Sequence, residues 1–556
     1  MGKFATKEKS TKAPFMLPNL LVLGLLRRPR NAADYLHRAY IIFYWRQCKT
    51  LKSRLKIILA FLISPVTIGQ DILYWTRKLG KNAAASANKS VVRQIIEQFY
   101  LAFFFSIDAQ NYYLQEFYQQ DGLHRARHFV NKNALKRGVY RLLTLHGRLL
   151  QPENAFFSLG DKTQFTRFCT KKGIAVVPIL YEFLADGTVI DVYGSKVNDV
   201  IEFPEHDVFC KPNVDNEGEG AVAWHWQGDN FFLSAAGIKL TKEQLRTHLH
   251  KLASKHKSGS YLVQPLMLPH TQLAPFRKKA TPTVRVVTYL DKKMRIKVNS
   301  AMLRFSTDPV SVVDNANAGG LVSPVSLITG SLGPAVGFSA DNLSLRFDTL
   351  PESKEQIKGR IIPYWQETLT LVKQAHSYFP YRLIIGWDIL ITENGPVILE
   401  ANSQPGLCYL QKAHLSSLGQ MPMAKPLAAH AKSAVKKLYS GNADSARLYG
   451  KTGLNRWLNW IMQINKQSVH LLISGKVQGV GYRKWLLKQA QSRRLKGWVR
   501  NKKDGSVEAV LSGSSVAVED VINNCWLGPE RAKVKDVIVS SHQKSVDNNF
   551  KIKKTN

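Results

Sequence analysis

Acidic residues are scarce in this chain. Its 556 residues carry 40 Asp and Glu against 78 Lys and Arg, a formal charge of +38. That imbalance favours polyanionic partners: nucleic acid, anionic lipid or an acidic polymer. No nucleic-acid-binding motif accompanies it, so nucleic acid is not expected. Cysteine is scarce too. Cys48, Cys169, Cys210, Cys408 and Cys525 are scattered, odd in number and form no Cys-x-x-Cys pair. This argues against a disulfide scaffold or a cysteine zinc site and suits a reducing compartment. No small-residue cleavage site follows the apolar stretch Leu20–Leu26, so no cleavable signal peptide is expected. Long hydrophobic runs are also lacking. The greasiest, Ile57–Ile68, has 12 residues, short of the roughly 20 that cross a bilayer as a helix. Lys56 bounds it on one side and Gln70-Asp71 on the other, and Pro65 is expected to kink a helix there.

What is present is enough apolar material, 45% of residues, for a sizeable core in two to four domains. Residues 1–100 hold 18 Lys and Arg against 4 Asp and Glu, a net +14. Aromatic and basic residues flank Ile57–Ile68: Tyr40–Trp45 and Lys49, Lys52, Arg54 and Lys56 before it, Trp75, Arg77, Lys78 and Lys81 after it. Two readings stand side by side: a helix lying in the interface of an anionic leaflet, or a helical layer packed on the next domain with its charges solvated. The low-complexity segment 81–90, KNAAASANKS, reads as a linker.

The most informative stretch is Arg382–Gly406. Leu383–Ile391 is an apolar strand holding one carboxylate, Asp388. Glu393-Asn394-Gly395-Pro396 is a turn, and Val397–Ala401 returns with Glu400, followed by Asn402. Strand alternation puts Glu400 and Asn402 on one face, and a hairpin register can bring Asp388 opposite them. Two carboxylates and an amide oxygen on one sheet face make a hard-cation site, with room for phosphate oxygens around Mg²⁺. An ordinary hairpin with solvated acids is the plain alternative.

An Asp on one strand, Glu-x-Asn on the next and then a Pro-Gly loop resembles the metal-binding end of the ATP-grasp superfamily. The specific resemblance is to its sugar-transfer-associated, alpha-L-glutamate-ligase-related branch, over roughly residues 90–435. It implies that Asp388, Glu400 and Asn402 hold one or two Mg²⁺ ions bridging the phosphates of ATP. It makes Lys162, at the start of a helix running to about Lys171 before the segment 173–178 that leads into a strand, a candidate phosphate contact. It assigns Lys211, ending the strand Asp207–Pro212, to the α/β-phosphates, and the glycines Gly218 and Gly220 of the following loop to a flap over them. Glycines there would let backbone N–H groups approach phosphate oxygens. Tyr261–Met267 matches the hinge that contacts adenine, with Gln264 as its polar side chain. Arg285, inside the β-branched strand Thr283–Thr288, wants an anionic partner, for which the resemblance supplies the phosphates; Arg304 is a second arginine for the same site. Asp314–Gly320 resembles an acceptor-side loop, giving Asn315, Gly319 and Gly320 to substrate; a plain Asn/Gly turn is the alternative. Trp224 and Trp226 read as sheet packing.

Beyond a compositional break at 440–453, residues 469–540 alternate as strand, helix, strand, strand, helix, strand, the ferredoxin-like βαββαβ plan. The loop Gly475–Arg483, GKVQGVGYR, and the segments Gly497–Asn501 and Asp504–Ala509 resemble the two acylphosphatase signatures. A glycine-rich strand-to-helix loop is a ready phosphate cradle. Arg483 can bind a phosphoryl group bidentately, and Asn501 can orient the attacking water, with no nucleophile or metal needed.

The expected fold is thus α+β and multidomain: a basic, partly apolar helical region at 1–89, an ATP-grasp domain at 90–439, a linker at 440–467 and an acylphosphatase-like domain at 468–556. The expected enzyme is a cytoplasmic ATP- and Mg²⁺-dependent carboxylate–amine ligase working through an acyl phosphate, in cell-surface polysaccharide or peptide-like polymer building, peripheral on the inner membrane face. A kinase-like ATP-grasp enzyme and a catalytically degenerate scaffold are the alternatives.

Overall fold

The structure, a computed structural model, describes residues 29–150, 158–191, 203–214, 220–307, 320–337, 345–439, 466–542 and 549–555, apart from a few positions within them. It divides into two compact units, Met1–Val435 and Lys436–Asn556.

The first unit begins with a helical layer: α1 (Ala32–Gln47), α2 (Leu51–Ala87) and α3 (Val91–Phe105). Each starts at a side-chain cap, Asn31, Thr50 and Ser90, which satisfies an otherwise orphaned backbone N–H. Two expectations fail here. α2 passes through Pro65 and continues to Ala87 through the expected linker, and its 37 residues are long and apolar enough to cross a membrane by length and composition, where the 12-residue run alone is too short. The Pro65 ring has no N–H to offer the Phe61 carbonyl, and the Ser64 hydroxyl donates to it instead at 2.6 Å. Alanine is the best helix former, so Ala83, Ala84, Ala85 and Ala87 extend the helix until Asn88 closes it in the left-handed region at φ 48°. The inner side of the layer packs Ile68, Ile72, Leu79, Leu101 and Phe105 into apolar clusters threaded by buried polar bonds. Gln94 donates to the Gly80 carbonyl at 3.0 Å, Gln98 to the Thr76 hydroxyl at 3.0 Å, and Glu97 accepts from Lys89 at 2.8 Å and Tyr112 at 2.7 Å. The segment after α3 is bonded to the body of the unit, where Arg346 donates to Glu116 at 3.1 Å. The packed-layer reading therefore holds for this inner side.

The body has two antiparallel seven-stranded sheets. The first comprises β1 (Tyr181–Leu184), β2 (Val189–Asp191), β3 (Val208–Pro212), β4 (Val222–Trp226), β5 (Phe231–Ser234), β6 (Lys239–Thr241) and β7 (Ser260–Pro265), in the order β2-β1-β7-β3-β4-β5-β6. The helix Lys242–Lys255 covers it, packing Leu245 and Leu249 with Phe183, Phe232 and the fully buried Trp224. The second comprises β8 (Thr283–Leu290), β9 (Ile296–Phe305), β10 (Leu321–Val325), β11 (Ala335–Gly337), β12 (Arg346–Phe347), β13 (Ile384–Thr392) and β14 (Gly395–Asn402), in the order β12-β11-β10-β9-β8-β13-β14. β8 and β13 are buried at every position, as central strands covered on both faces should be. The segment 173–178 leads into β1 and makes one parallel bridge on the way, Val176 to Ile398.

The β13–β14 hairpin pairs Thr392 with Gly395, so Glu393 and Asn394 form its two-residue loop and Gly395 takes φ 109°. Pairing runs regularly to Ile389–Ile398 and then skips Leu399, so that Asp388 faces Glu400. This β-bulge leaves Ile398 and Ala401 in the core, an offset of three residues where a regular strand allows two or four.

In the second unit β15 (Lys466–Lys476), β16 (Lys496–Asn501), β17 (Val507–Ser514), β18 (Lys533–Ser541) and β19 (Phe550–Ile552) form a sheet in the order β18-β15-β17-β16-β19. The helix Tyr482–Ser492 packs Tyr482, Leu486 and Ala490 into its core. The first four strands follow the expected ferredoxin-like plan; β19, parallel to β16, is an addition.

Candidate functional site

A cavity of about 800 Å³ lies in the first unit, walled by both seven-stranded sheets. Of the residues singled out from the sequence, Lys162, Lys211, Gln264, Arg285, Arg304, Asp388, Glu400 and Asn402 all line it. They come from segments up to 240 residues apart, counting from Lys162 to Asn402.

One wall carries the carboxylates. Asp388 on β13 sits opposite Glu400 on β14, and the Asn402 amide donates to Glu400 at 3.1 Å and to Asp388 at 3.4 Å. Arg285, directly across on β8, grips Asp388 bidentately through Nε and Nη2, the latter at 2.7 Å. Arg304 on β9 adds a contact at 3.2 Å. The anionic partner of Arg285 inside the protein is thus Asp388, where the sequence suggested phosphate. Burial works against ionising Asp388, but the Arg285 and Arg304 guanidiniums overcome it and hold its carboxyl well below the usual range. Glu400 goes the other way. Burial, then the charge of Asp388, pushes its carboxyl up, while Lys211 and Lys162 pull against the shift. Among the described residues no cluster of three or more His, Cys, Asp and Glu forms, so the hard donors here are two carboxylates and an amide oxygen. A buried carboxylate drawn towards its neutral form, with a second beside it, fits the donor chemistry of a divalent cation bound by oxygen.

The opposite wall is cationic and apolar. Lys162 opens the helix Lys162–Lys171 behind its cap Asp161, and its ammonium donates to the Asn213 carbonyl at 3.0 Å. Asn213 in turn accepts from the Thr163 N–H at 3.1 Å. Buried Glu182 ties this corner together, accepting from Thr163 at 3.0 Å and from Ser260 at 2.6 Å. Lys211 projects from β3. The Gln264 amide on β7 donates to the carbonyls of Val177 and Pro178 at 3.2 and 3.3 Å, fixing the segment before β1 at the cavity's edge. Val177, Leu266 and Met267 on this side, with Met302 and Leu390 from the sheet that carries the carboxylates, supply the apolar lining of the cavity. Gly220 stands beside this wall at φ 84°, and its carbonyl accepts from the Tyr261 hydroxyl. Gly320 is buried just before β10 and is not among the lining residues. Gly218, Asn315 and Gly319 lie outside the described residues.

Sequence reading missed Lys132, Lys136 and Tyr140, which line the same cavity from the helical segment upstream. Tyr140 donates to the Pro405 carbonyl, tethering the loop that follows Asn402. Leu135–Val139 forms a π-helical turn, a local feature frequent at functional sites. No pattern in the surrounding sequence marks it.

In the second unit, Arg483 lies in the first turn of its helix behind Gly481, whose φ is 80°. Gly475 and Gly479 also take positive φ, 114° and 74°, so the loop turns its backbone in ways other residues resist. Gln478 straps this loop to the β16–β17 turn, donating to the carbonyls of Lys502 at 2.8 Å and Ser506 at 2.7 Å. That strap ties the loop beside the end of β16, where Asn501 sits.

A family model described as sugar-transfer associated ATP-grasp matches residues 145–423, half of the chain. The chain belongs to the sugar-transfer-associated ATP-grasp family. An acylphosphatase model matches residues 469–552 of this ATP-grasp protein. Over 78 residues the chain is 51% identical to an acylphosphatase of Rhodopseudomonas palustris, covering 14% of this chain and 79% of the relative. An acylphosphatase structure from Coxiella burnetii shares 32% identity, covering 16% of this chain and 97% of that one, with a TM-score of 0.16. The L-amino acid ligase structure from Bacillus licheniformis shares 11% identity over 51% of this chain and 54% of that one, with a TM-score of 0.27. The chain is therefore an enzyme that joins an ATP-grasp unit to an acylphosphatase domain. ATP-grasp enzymes use ATP with a divalent metal.

Proposed function

We propose that the first unit is a carboxylate–amine ligase, or a ligase to a similar nucleophile, that works through an acyl phosphate. The observation that carries this is the convergence of Lys162, Lys211, Asp388, Glu400 and Asn402 on one cavity with a partly apolar lining. A carboxylate oxygen of the donor attacks the γ-phosphorus of ATP, the bond to the β–γ bridging oxygen breaks, and ADP leaves. The amine then attacks the acyl carbon, phosphate departs and the nitrogen loses a proton. Lys162 and Lys211 hold phosphate oxygens, and Arg285 and Arg304 keep Asp388 ionised. Asp388, Glu400 and Asn402 would hold Mg²⁺, one ion or two, whose chemistry is to neutralise charge on the phosphates. In this reading Gly218 and Gly220 belong to a flap over the nucleotide and Asn315 and Gly319 to the acceptor side, whereas Gly320, buried and outside the cavity lining, serves the loop's backbone. Building of a cell-surface polysaccharide or peptide-like polymer, on the cytoplasmic side of the membrane, is the setting this reading implies.

The second unit hydrolyses acyl phosphates. The Gly475–Arg483 loop and Arg483 hold the phosphoryl group, Asn501 orients a water, and attack at phosphorus releases the carboxylate.

The test of the ligase reading is ADP release with panels of carboxylates and amines, followed by mass spectrometry of the product. Glu400→Gln is expected to abolish Mg²⁺-dependent ADP formation with the fold retained. Unchanged turnover in that variant removes Glu400 from the site. A phosphorylated acceptor as final product would replace ligation by a kinase reaction, and no turnover in either protein would favour a scaffold.

A further inference from the structure

The outer side of α2 carries one continuous apolar stripe. Leu51, Leu55, Ile58, Leu59, Leu62, Val66 and Leu73 are all exposed, Leu51, Leu62 and Val66 at 74, 67 and 62%. Their spacings of three, four and seven residues keep them on one side of the helix. From Leu51 to Leu73 the stripe is about 33 Å long at 1.5 Å per residue. The neighbouring α3 leaves Val92, Ile96, Tyr100 and Phe104 exposed as well. So much contiguous apolar surface is costly in water and marks a contact surface.

Both ends of the stripe are basic and aromatic. Lys52, Arg54 and Lys56 stand at one end, and the Arg54 guanidinium lies 5.4 Å from the Trp45 ring centre. Arg77, Lys78 and Lys81 stand at the other, with the Lys78 ammonium 5.5 Å from Trp75 and 6.0 Å from Tyr74. Between Lys56 and Arg77 the only charged residue is Asp71. It faces inward, accepting from the Ala109 N–H at 3.1 Å.

We propose that this stripe lays α2 in the plane of an anionic lipid bilayer, with the leucines among the upper acyl chains and both basic ends on lipid phosphates. Three features select this occupant. A second copy of the chain is disfavoured, because the ends are alike in charge and either parallel or antiparallel pairing sets Lys and Arg against Lys and Arg. A spanning orientation is disfavoured, because the other side of the same helix is committed to protein: Ile68, Ile72 and Leu79 are buried, and Thr76 and Gly80 are bonded to Gln98 and Gln94. Charge complementarity favours lipid, since residues 1–100 carry a net +14 and amphipathic helices with Lys and Arg beside Trp, Tyr and Leu settle in the headgroup region. The inference rests on the membrane-side setting proposed above and not on ligase chemistry, so vesicle binding and ADP release fail independently.

The experiment is flotation of the full chain with vesicles of equal parts phosphatidylglycerol and phosphatidylcholine, beside vesicles of phosphatidylcholine alone. Binding is expected on the first and at least tenfold weaker on the second, and it should decline as salt rises, since exposed charges are screened within about 10 Å at 0.1 M. Leu55→Glu with Leu62→Glu, both at exposed positions, should reduce binding about a hundredfold. The melting temperature and the acyl phosphate hydrolysis of the second unit should stay unchanged. Arg77→Glu with Lys81→Glu should weaken binding and flatten its salt dependence. Equal flotation of the wild type and the double leucine variant overturns the proposal, as does equal binding to both vesicle types. A dimer in lipid-free solution that the leucine variant dissolves would assign the stripe to a second copy instead. Retention in the membrane after alkaline carbonate extraction would mean that the helix spans it, and would overturn the in-plane orientation.

Discussion

Asp388 and Glu400 face each other across the β13–β14 hairpin, yet the protein drives their carboxyls in opposite directions. Arg285 and Arg304 keep the first ionised, whereas burial and the nearby Asp388 charge favour the neutral form of the second. A pair tuned apart in this way has one permanent anion and one group that ionises when a cation offsets the cost.

A pH dependence follows from this pair. Glu400 has a raised pKa in the folded protein, so in the metal-free protein its contribution is most favourable below the ordinary glutamate range. It declines as pH rises through the raised value. Asp388 is depressed, so its contribution is present above the ordinary aspartate range and is lost only on strong acidification. Thermal unfolding of the first unit in chelator should therefore show stability falling from the glutamate range towards neutrality, and Glu400→Gln should remove that slope. Mg²⁺ should stabilise the wild type increasingly as pH rises and leave the variant unmoved. Parallel slopes in the two proteins would detach the effect from Glu400.

The ion pair itself predicts a non-additive cycle. Arg285→Ala strands a buried aspartate beside Glu400 and should cost about 3–5 kcal/mol in denaturant unfolding. Combining it with Asp388→Ala should recover a large part of that loss, because the stranded charge is gone. Simple addition of the two single effects would show that Arg304 alone suffices to hold Asp388.

For the second unit, hydrolysis of a generic acyl phosphate such as benzoyl phosphate should proceed in the presence of chelator. Arg483→Ala should lower kcat by about 10²–10³, the scale for removing one donor to a developing oxyanion. Asn501→Ala should lower kcat with little effect on KM. A chelator-sensitive reaction would contradict a metal-free cradle.

If the first unit forms an acyl phosphate as proposed, the acylphosphatase in the same chain is placed to remove intermediates that escape or form on wrong acceptors. Sharing a chain raises the local concentration of each site's product at the other. In the full-length enzyme Arg483→Ala should then reduce ATP hydrolysis measured without the amine and spare ligation with it. Equal uncoupled hydrolysis in both proteins would leave the phosphatase acting on unrelated acyl phosphates.

Much of the cavity was legible because its residues sit where their type is conspicuous. A lone Asp in Leu383–Ile391 and an Arg in the β-branched Thr283–Thr288 are both costly unless paired, and they pair with each other. The hairpin register was not legible. Reading Asn394-Gly395 as the two loop residues would set Asp388 opposite Ala401, whereas the loop is Glu393-Asn394 and Leu399 bulges. Local turn chemistry lost to the packing of Ile389 and Ile398 in the core. Lys132 and Lys136 were invisible because a surface lysine carries no pattern until its surroundings are known. The segment 81–87 misled because alanine serves a linker and a helix equally well.

The extra residue in β14 sets two successive side chains towards the cavity where a regular strand would set one. Ile398 belongs to the core, while Leu399 and Glu400 both reach the cavity, and Ala401 returns to the core. Deleting Leu399 would restore regular alternation, keeping Ile398 and Ala401 in the core and Glu400 opposite Asp388, and would remove the local bend and added twist of the bulge. Replacing Leu399 with Val or Met would only reshape the cavity lining. What the extra residue supplies to β14 is thus a bend beside Glu400 and a second side chain towards the cavity, while the choice of face is already set by the pairing.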